Sequence, residues 1–208
     1  MSGARSLSRL RRDAADCTRC HLYARATQTV FGEGSARARL MLVGEQPGDH
    51  EDREGRPFVG PAGKLPRELL AAAGVAEDEI YVTNAVKHFK WRPRGTRRIH
   101  DKPNWTEIQA CNYWLALELA AVEPELVVCL GATAAQALLG RDARVGAMRG
   151  RVLALADGTP ALVTLHPSAV LRADDRREER RAELLADLEL ARDTVAALGA
   201  QTSRIANS

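Results

Sequence analysis

The residues of this chain that could carry out chemistry include a short basic segment, RPRGTRRIH, which runs from Arg92 to His100. Several arginines in so short a segment are typical of a contact with nucleic-acid phosphates. The histidine at its end has four possible roles: a phosphate contact, a metal ligand, a structural residue or a reacting group. Imidazole is a recognised nucleophile in covalent catalysis, so the last role is chemically feasible.

The cysteines are a second group of potentially reactive residues. Cys17 and Cys20 form a C-x2-C pair, which allows two thiolates to bind one metal from a tight turn. Cys111 is a third candidate ligand, whereas Cys129 lies in the apolar run LVVCLG and is expected in the core. His88 could complete a set of four for zinc or an iron–sulfur cluster. The alternative is a set of unrelated buried thiols, with His88 outside any metal site.

Composition and charge set broad limits on the class of protein. The 208 residues are 45% hydrophobic and 27% charged, which is typical of a soluble globular domain, and we expect one domain over residues 1–208. The net charge is only +3, so whole-chain charge does not identify a partner. No apolar run is long enough to cross a membrane and the N-terminus lacks an apolar signal core, which predicts a cytoplasmic protein. Nothing indicates an oligomer interface, so we expect a monomer.

The elements that must position these residues alternate between strands and helices. We predict the following elements: a helix over Ala4–Asp16, a strand over Arg39–Val43, a loop over residues 49–63, a helix over Lys64–Ala73, a strand in IYVTNAV, the basic segment as a loop, a helix over Thr106–Val122, a strand, turn and helix in ELVVCLGATAAQALLG, a strand in ALVTLHPS, and an amphipathic helix over Asp174–Leu198. This order predicts a three-layer αβα sandwich around a four-stranded, mostly parallel sheet. Residues 1–30 would form an N-terminal helix and C-x2-C segment, and residues 172–208 a C-terminal helix and tail.

Polar turns follow the predicted strands at four places. They are Gly44–Asp49, Asn84–His88, Gly131–Thr133 and His166–Ser168. Ligands bind at the carboxyl ends of the strands in sheets of this kind. We expect Gly131–Thr133 to be a plain turn, while the other three carry side chains that a turn does not need.

Four motifs together resemble a known family. GEQPGDHED (Gly44–Asp52), GRPFVGPAGKL (Gly55–Leu65), TNAVKHFK (Thr83–Lys90) and HPS (His166–Ser168) resemble the iron–sulfur uracil-DNA glycosylases. The resemblance extends from Cys17 to about Leu171. Gln46, the histidine after VK, and RRIH in an inserted segment resemble the UdgX branch, which is known for binding uracil-containing DNA covalently.

Two positions depart from the pattern of that branch. Thr96 stands where the branch has a lysine, which is expected to cost one phosphate contact rather than the chemistry. Leu65-Pro66-Arg67 replaces a Leu-Leu-Asp sequence. Because proline is favoured only in the first turn of a helix, we expect this helix to start later.

The resemblance also implies a cofactor and a partner. It implies a [4Fe–4S] cluster on Cys17, Cys20, His88 and Cys111, with a structural role away from the reacting sugar. The partner would be uracil-containing DNA, preferably single-stranded, because the base must leave the stack before it can be excised.

The resemblance gives roles to the residues that would contact uracil. Phe58 would stack on the base, and the Asn84 amide would pair with its N3–H and O4. His166 would donate a hydrogen bond to the uracil anion at O2. The alternatives are a core phenylalanine, a turn asparagine and a core histidine. Gly44, Gly48 and Gln46 would line the same substrate site.

The remaining roles concern the sugar and the phosphates. Glu45 would stabilise the cationic sugar or position either a water molecule or His100, with Asp49 as a second carboxylate. His100 would bond to the sugar C1′, and Arg97, Arg98 and Ser168 would contact DNA phosphates.

Three functional hypotheses follow from these roles. The leading one is a single-turnover uracil-DNA glycosylase that ends covalently bound to DNA through His100. The second is a multiple-turnover glycosylase in which water attacks and His100 only contacts DNA. The third is an iron–sulfur nucleic-acid-binding module without catalysis.

Overall fold

A mixed β-sheet with helices on both faces forms the centre of the protein. The computed structural model describes residues 6–206. The predicted start of the first helix at Ala4, and the outermost residues of the ranges 1–30, 172–208 and 1–208, lie outside the described residues. Among those described, no helix is both long and apolar enough to cross a membrane.

The elements alternate along the chain much as the sequence pattern predicts. The helices are α1 (Leu7–Ala15), α2 (Asp49–Glu54), α3 (Pro61–Ala72), α4 (Trp105–Val122), α5 (Ala132–Leu139), α6 (Val145–Met148), α7 (Pro167–Leu171) and α8 (Arg177–Ala206). The strands are β1 (Glu33–Gly34), β2 (Leu40–Gly44), β3 (Ile80–Asn84), β4 (Trp91–Arg94), β5 (Arg97–His100), β6 (Leu126–Leu130), β7 (Val152–Ala154) and β8 (Pro160–Thr164). Short 3-10 turns cover His21–Ala24, Glu77–Glu79 and Asp174–Arg176.

The central sheet confirms the predicted fold class but not its strand number. In the described residues its order is β1-β3-β2-β6-β8-β7. The inner strands β3, β2, β6 and β8 are parallel, as predicted, and β1 and β7 pair antiparallel at the edges. The sheet therefore has six strands rather than four. The edge strands escaped prediction because two or three residues are too few to show an alternating pattern.

Alternating side chains of the strands build a core on each face of the sheet. In β2, Leu40 and Leu42 face the side covered by α3, α7 and α8. Met41 and Val43 face the opposite side, against α4 and α5. Successive strand residues point to opposite faces, so a continuous apolar run is what a sheet covered on both sides requires.

The predicted loop over residues 49–63 is wrong in its first half, because Asp49–Glu54 forms helix α2. Glu51 explains why so polar a sequence is helical. Its carboxylate accepts the backbone N–H of Gly48 at 3.1 Å and that of Gly60 at 2.7 Å. Gly55 ends the helix with a φ of 72°, in the left-handed region that favours glycine.

The prediction that Pro66 delays the start of helix α3 is also wrong. The helix begins at Pro61 and contains Pro66 in its interior. A close contact fixes its start, since a Cβ on Gly63 would collide with the backbone of Phe58. Packing of the first turn therefore outweighs the backbone hydrogen bond that a proline cannot make.

The basic segment is a hairpin rather than a loop. Strands β4 and β5 pair antiparallel, with Trp91 opposite His100 and Arg94 opposite Arg97. The two-residue turn contains Gly95 with a φ of 59°. The sequence gives no strand pattern here, because arginines occupy half of the strand positions and neither face of the hairpin is apolar. The pairing places His100 at the base of the hairpin, beside the main sheet.

Candidate active site

A cavity of about 680 Å³ opens at the carboxyl ends of the parallel strands. These ends are brought together by the register of β2, β3, β6 and β8. The cavity lining includes these predicted site residues: Gly44, Glu45, Gln46, Gly48, Phe58, Asn84, His100, His166 and Ser168. Asp49, Arg97 and Arg98 are predicted site residues that lie outside the lining.

An aromatic ring and an amide form one wall of the cavity. Asn84 ends β3 and pairs in register with Gly44 at the end of β2. A Cβ on Gly44 would collide with the Asn84 amide oxygen and crowd the Phe58 ring, so glycine leaves room for both. Phe58 is 8% exposed and has a φ of 60°, a strained conformation for a residue with a side chain. The wall presents a flat apolar face beside a hydrogen-bonding amide.

His166 is held as a neutral donor by the backbone of α7. Its Nδ1 accepts the backbone N–H of Ser168 at 3.1 Å and lies 2.7 Å from the Ser168 hydroxyl. A neutral imidazole that accepts at Nδ1 carries its proton on Nε2. Burial lowers the pKa of His166 and outweighs the nearby charge of Glu45. Near neutral pH the side chain can therefore donate one hydrogen bond from Nε2.

Glu45 joins His100 to the cavity. Its Oε1 lies 3.2 Å from His100 Nε2, and its other oxygen accepts a hydrogen bond from the Thr133 hydroxyl. Burial acts to raise the pKa of Glu45, but the hydrogen bonds from His100 and Thr133 outweigh it and lower the pKa. Glu45 is therefore an anion beside the imidazole. The expectation that Gly131–Thr133 is a plain turn is wrong, because Thr133 helps to hold this carboxylate.

Gln46 fixes the hairpin that carries His100. Its amide nitrogen donates to the carbonyls of Lys90 and Asp101, and its amide oxygen accepts the N–H of Lys90, all at 3.1 Å. Lys90 and Asp101 flank the two strands of the hairpin. The side chain therefore joins both ends of the hairpin to the end of β2.

Arg98 and Asp49 contact each other rather than the cavity. Arg98 Nε lies 2.5 Å from Asp49 Oδ1, and its Nη1 lies 2.6 Å from Asp52 Oδ2. Asp52 is fully buried and also accepts hydrogen bonds from the backbone N–H and the hydroxyl of Thr27. Arg98 thus anchors the hairpin to α2, whereas Arg97 is exposed.

Two cations at the cavity were missed by the site prediction. Lys102 and Arg172 both line it, Lys102 just beyond the hairpin and Arg172 at the end of α7. Arg172 follows the HPS motif closely in the sequence, which could have drawn attention to it. Only the fold shows that helix α7 brings Arg172 back to the cavity.

The three candidate thiols share one apolar cluster between α1 and α4. It contains Cys17 and Cys111, with Cys20 packed against it. The Trp114 indole N–H donates to Cys17 Sγ at 3.1 Å. Burial raises the pKa of Cys20, and raises that of Cys111 to about 12. Cys129 lies apart from them in β6, fully buried, as a core residue.

His88 is buried and has one ring nitrogen without a hydrogen-bond partner among the described residues. Its Nε2 lies 2.9 Å from the Thr29 hydroxyl, while Nδ1 has no hydrogen-bond partner among residues 6–206. Within the same residues, no three cysteine, histidine or acidic side chains converge in a metal-ligand geometry. The donor chemistry nevertheless fits a metal group, because buried thiols and an unpaired imidazole nitrogen are groups that a metal would satisfy.

Fold and cavity together define a class: an α/β protein with an enzyme-like site for a flat, polar ring at the carboxyl ends of its strands. The Uracil DNA glycosylase superfamily matches this chain over residues 31–189. The chain belongs to that superfamily, which confirms the resemblance at this level.

Several individual relatives of this chain are uracil-DNA glycosylases by name. The Type-4 uracil-DNA glycosylase of Thermotoga maritima is 37% identical over 180 residues, which cover 86% of this chain and 89% of that protein. The Type-4 enzyme of Archaeoglobus fulgidus is 34% identical over 185 residues, with the same coverage. A Type-5 uracil-DNA glycosylase of Pyrobaculum aerophilum is 31% identical over 151 residues, covering 65% of this chain and 63% of that protein. The finer assignment to the UdgX branch stays a prediction.

Proposed function

We propose that this protein excises uracil from DNA and then remains covalently bound to the sugar through His100, as in the UdgX branch. The observation that carries the proposal is the 3.2 Å contact between His100 Nε2 and Glu45, inside the cavity lined by Phe58, Asn84 and His166. The Type-4 and Type-5 relatives support the excision step by the activity that their names state.

Uracil recognition requires a flipped base and a shaped wall. An extruded uracil would stack on Phe58, and the Asn84 amide would pair with its N3–H and O4. His166 would donate from Nε2 to uracil O2, where negative charge develops as the base leaves. The hydrogen bond between Ser168 and His166 Nδ1 supports this role, because it leaves the proton on the other nitrogen.

Both proposed steps, cleavage of the base and capture by His100, take place at the sugar C1′. The C1′–N1 bond breaks, and its electron pair leaves with the uracil anion. A lone pair of the His100 imidazole forms a new bond to C1′, and the imidazole becomes cationic. Glu45, an anion beside that ring, stabilises the charge first of the sugar and then of the imidazole. It can also accept the imidazole proton.

A single turnover follows if no group activates water against the new bond. Glu51 is the other carboxylate of the cavity lining. It accepts hydrogen bonds from the backbone of Gly48 and Gly60, so it holds a loop instead of a water molecule. Glu45 is engaged by His100 and Thr133. The described lining thus offers no spare carboxylate to activate water for release of the sugar from His100.

The cofactor of this proposal is a [4Fe–4S] cluster on Cys17, Cys20, His88 and Cys111. When bound, it would supply a structural crosslink rather than part of the reaction. The three cysteines share one apolar cluster, and His88 Nδ1 is buried without a partner among the described residues. These residues would tie the N-terminal segment to α4 and to the chain that follows β3.

The proposed partner is uracil-containing DNA, and the proposed process is base-excision repair in the cytoplasm by a monomer. Single-stranded DNA is the preferred form in this proposal, because a base that is already unpaired costs less to extrude. Lys102 and Arg172 lie where the cavity would meet the DNA backbone.

A denaturing gel tests the proposal directly. The protein is mixed with a single-stranded oligonucleotide that contains one uracil, and a thymine-containing copy serves as the control. A shifted band that survives SDS and heat, at no more than one strand per protein, is the expected result. Abasic product in excess over protein would show a multiple-turnover enzyme instead, and retained binding without either product would show a binding module.

Iron analysis tests the cofactor separately. Iron and sulfide in nearly equal amounts, with a broad visible absorbance, are expected for a cluster held by thiolate and imidazole ligands. A protein that contains zinc alone would contradict this part of the proposal.

A further inference from the structure

A buried ion pair lies behind the cavity wall. Lys87 and Glu118 are both 0% exposed, and Lys87 Nζ lies 2.5 Å from Glu118 Oε2. Removing two charges from water costs more than their attraction returns unless further hydrogen bonds satisfy both groups. Such a pair is therefore weak evidence for stability and suggests a positional role.

Both members of the pair are fully supplied with partners. Glu118 accepts the backbone N–H of Gly32 and the hydroxyls of Tyr81 and Thr83, at 2.9 to 3.0 Å. The Lys87 ammonium has three donors, and all of them are used. The carboxylate takes one of them and the Thr83 hydroxyl takes another at 2.6 Å.

The third donor of Lys87 contacts the cavity wall formed by Phe58 and Asn84, which would bind the base. It binds the backbone carbonyl of Asn84 at 2.7 Å. Asn84 is the last residue of β3, and its side chain lines the cavity beside Phe58. The ammonium therefore fixes the peptide from which the amide side chain projects.

The backbone of Lys87 contacts the thiol cluster as well. Its N–H donates to Cys111 Sγ at 3.1 Å. One residue thus touches the strand end that bears Asn84 through its side chain and a candidate metal ligand through its main chain.

We propose that Lys87, held in place by Glu118, is a positioning residue that sets the orientation of the Asn84 amide for uracil. The inference rests on the proposed function for the identity of the base. The placement of Asn84 by the ammonium is a separate claim, and it can be measured without catalysis.

The test uses the double variant Lys87→Met/Glu118→Gln. It removes both charges at nearly constant volume, and the new amide oxygen can still accept from Gly32 and Tyr81. Lys64→Met, at an exposed lysine of α3, is the matched control. Three quantities are measured: the NMR signal of the Asn84 carboxamide, the affinity for DNA with a base-free sugar analogue, and the single-turnover rate of uracil excision.

The double variant should excise uracil on the order of 100-fold more slowly, since small misplacements of a substrate contact have effects of that size. Its affinity for the base-free DNA should be unchanged, because Asn84 has no base to bind there. The Asn84 carboxamide signal, assigned by its loss in Asn84→Ala, should shift. Lys64→Met should match the unchanged protein in all three measurements.

Other outcomes overturn the inference. An Asn84 signal that stays in place, or an equal loss of excision and of affinity for base-free DNA, would show a general structural role. If the unchanged protein excises no uracil, the proposed function fails, and the NMR signal still decides whether Lys87 positions Asn84. Should the double variant not fold, Glu118→Gln alone gives the same comparison, with a shift in the Asn84 signal expected and its absence contradicting the inference.

Discussion

At the scale of single residues, His100 separates excision of the base from capture of the sugar. His100→Ser should abolish the SDS-resistant complex while uracil release continues, because serine cannot replace the imidazole lone pair and Glu45 remains to stabilise the sugar cation. The denaturing gel and an assay of released uracil measure the two steps. His50→Ser, at an exposed histidine of α2, is the control. A complex that survives in His100→Ser would assign the nucleophile to another residue.

The pKa of His166 gives a prediction about stability. Burial lowers this pKa below its ordinary value of about 6.5. At a pH between the lowered pKa in the folded protein and the ordinary pKa in the unfolded chain, the unfolded chain binds a proton that the folded protein does not. The free energy of unfolding therefore falls as the pH falls through this range. The melting temperature should therefore drop between pH 7 and pH 5, and drop less in His166→Asn.

Asparagine is a suitable replacement because its amide oxygen can accept from the Ser168 backbone as Nδ1 does. Equal slopes in the two proteins, measured by calorimetry, would refute a role for His166 in this pH dependence.

The sequence predicted which side chains meet at the cavity better than which bonds they make. Phe58, Asn84, His100 and His166 all line it, as expected from motifs at strand ends. The partner of Arg98 could not be predicted, because a guanidinium suits a phosphate and a carboxylate equally well. Its choice depends on the distance to Asp49 and Asp52 in the folded chain, which no local pattern contains.

At the scale of elements, the hairpin of β4 and β5 is what brings His100 to the cavity. Arg98 anchors it through Asp49 and Asp52, while Arg97, one residue earlier, is exposed. Arg98→Ala should lower the yield of covalent complex several-fold even at saturating DNA, because the hairpin loses its attachment to α2. Arg97→Ala should weaken DNA binding in a salt-dependent way and leave that saturated yield unchanged.

Gel yields at rising DNA and salt concentrations distinguish these two arginines. If Arg98→Ala behaves like Arg97→Ala, both residues act as phosphate contacts and the anchoring role of Arg98 is wrong. The hairpin itself escaped prediction for a related reason. Its strands are stabilised by cross-strand pairing and by Gln46 instead of an apolar face, so they lack the alternation by which strands are recognised.

At the scale of the whole molecule, the thiol cluster and the cavity are separate sites joined by the chain after β3. The C-x2-C spacing drew attention to the first group of residues and the polar turns at strand ends to the second, while the metal-binding role of the thiols stays a prediction. Their connection through Lys87 was not predictable, because a lysine in a sequence is expected at the surface. Only the fold shows it fully buried between Asn84 and Cys111.

Loss of the proposed cluster should have a measurable effect on the N-terminal segment. Cys111→Ala should purify without iron, and its N-terminal segment around Cys17 and Cys20 should become more sensitive to protease, because only non-covalent contacts such as the Trp114–Cys17 hydrogen bond would then hold it to α4. Cys129→Ala, which alters a buried thiol of β6 outside the cluster, should retain both iron and protease resistance. Iron content and mass spectrometry of limited digests measure the two effects. Equal iron in the two variants would remove Cys111 from the ligand set, whereas iron loss without new cleavage would leave the ligand assignment intact and contradict the structural role of the cluster.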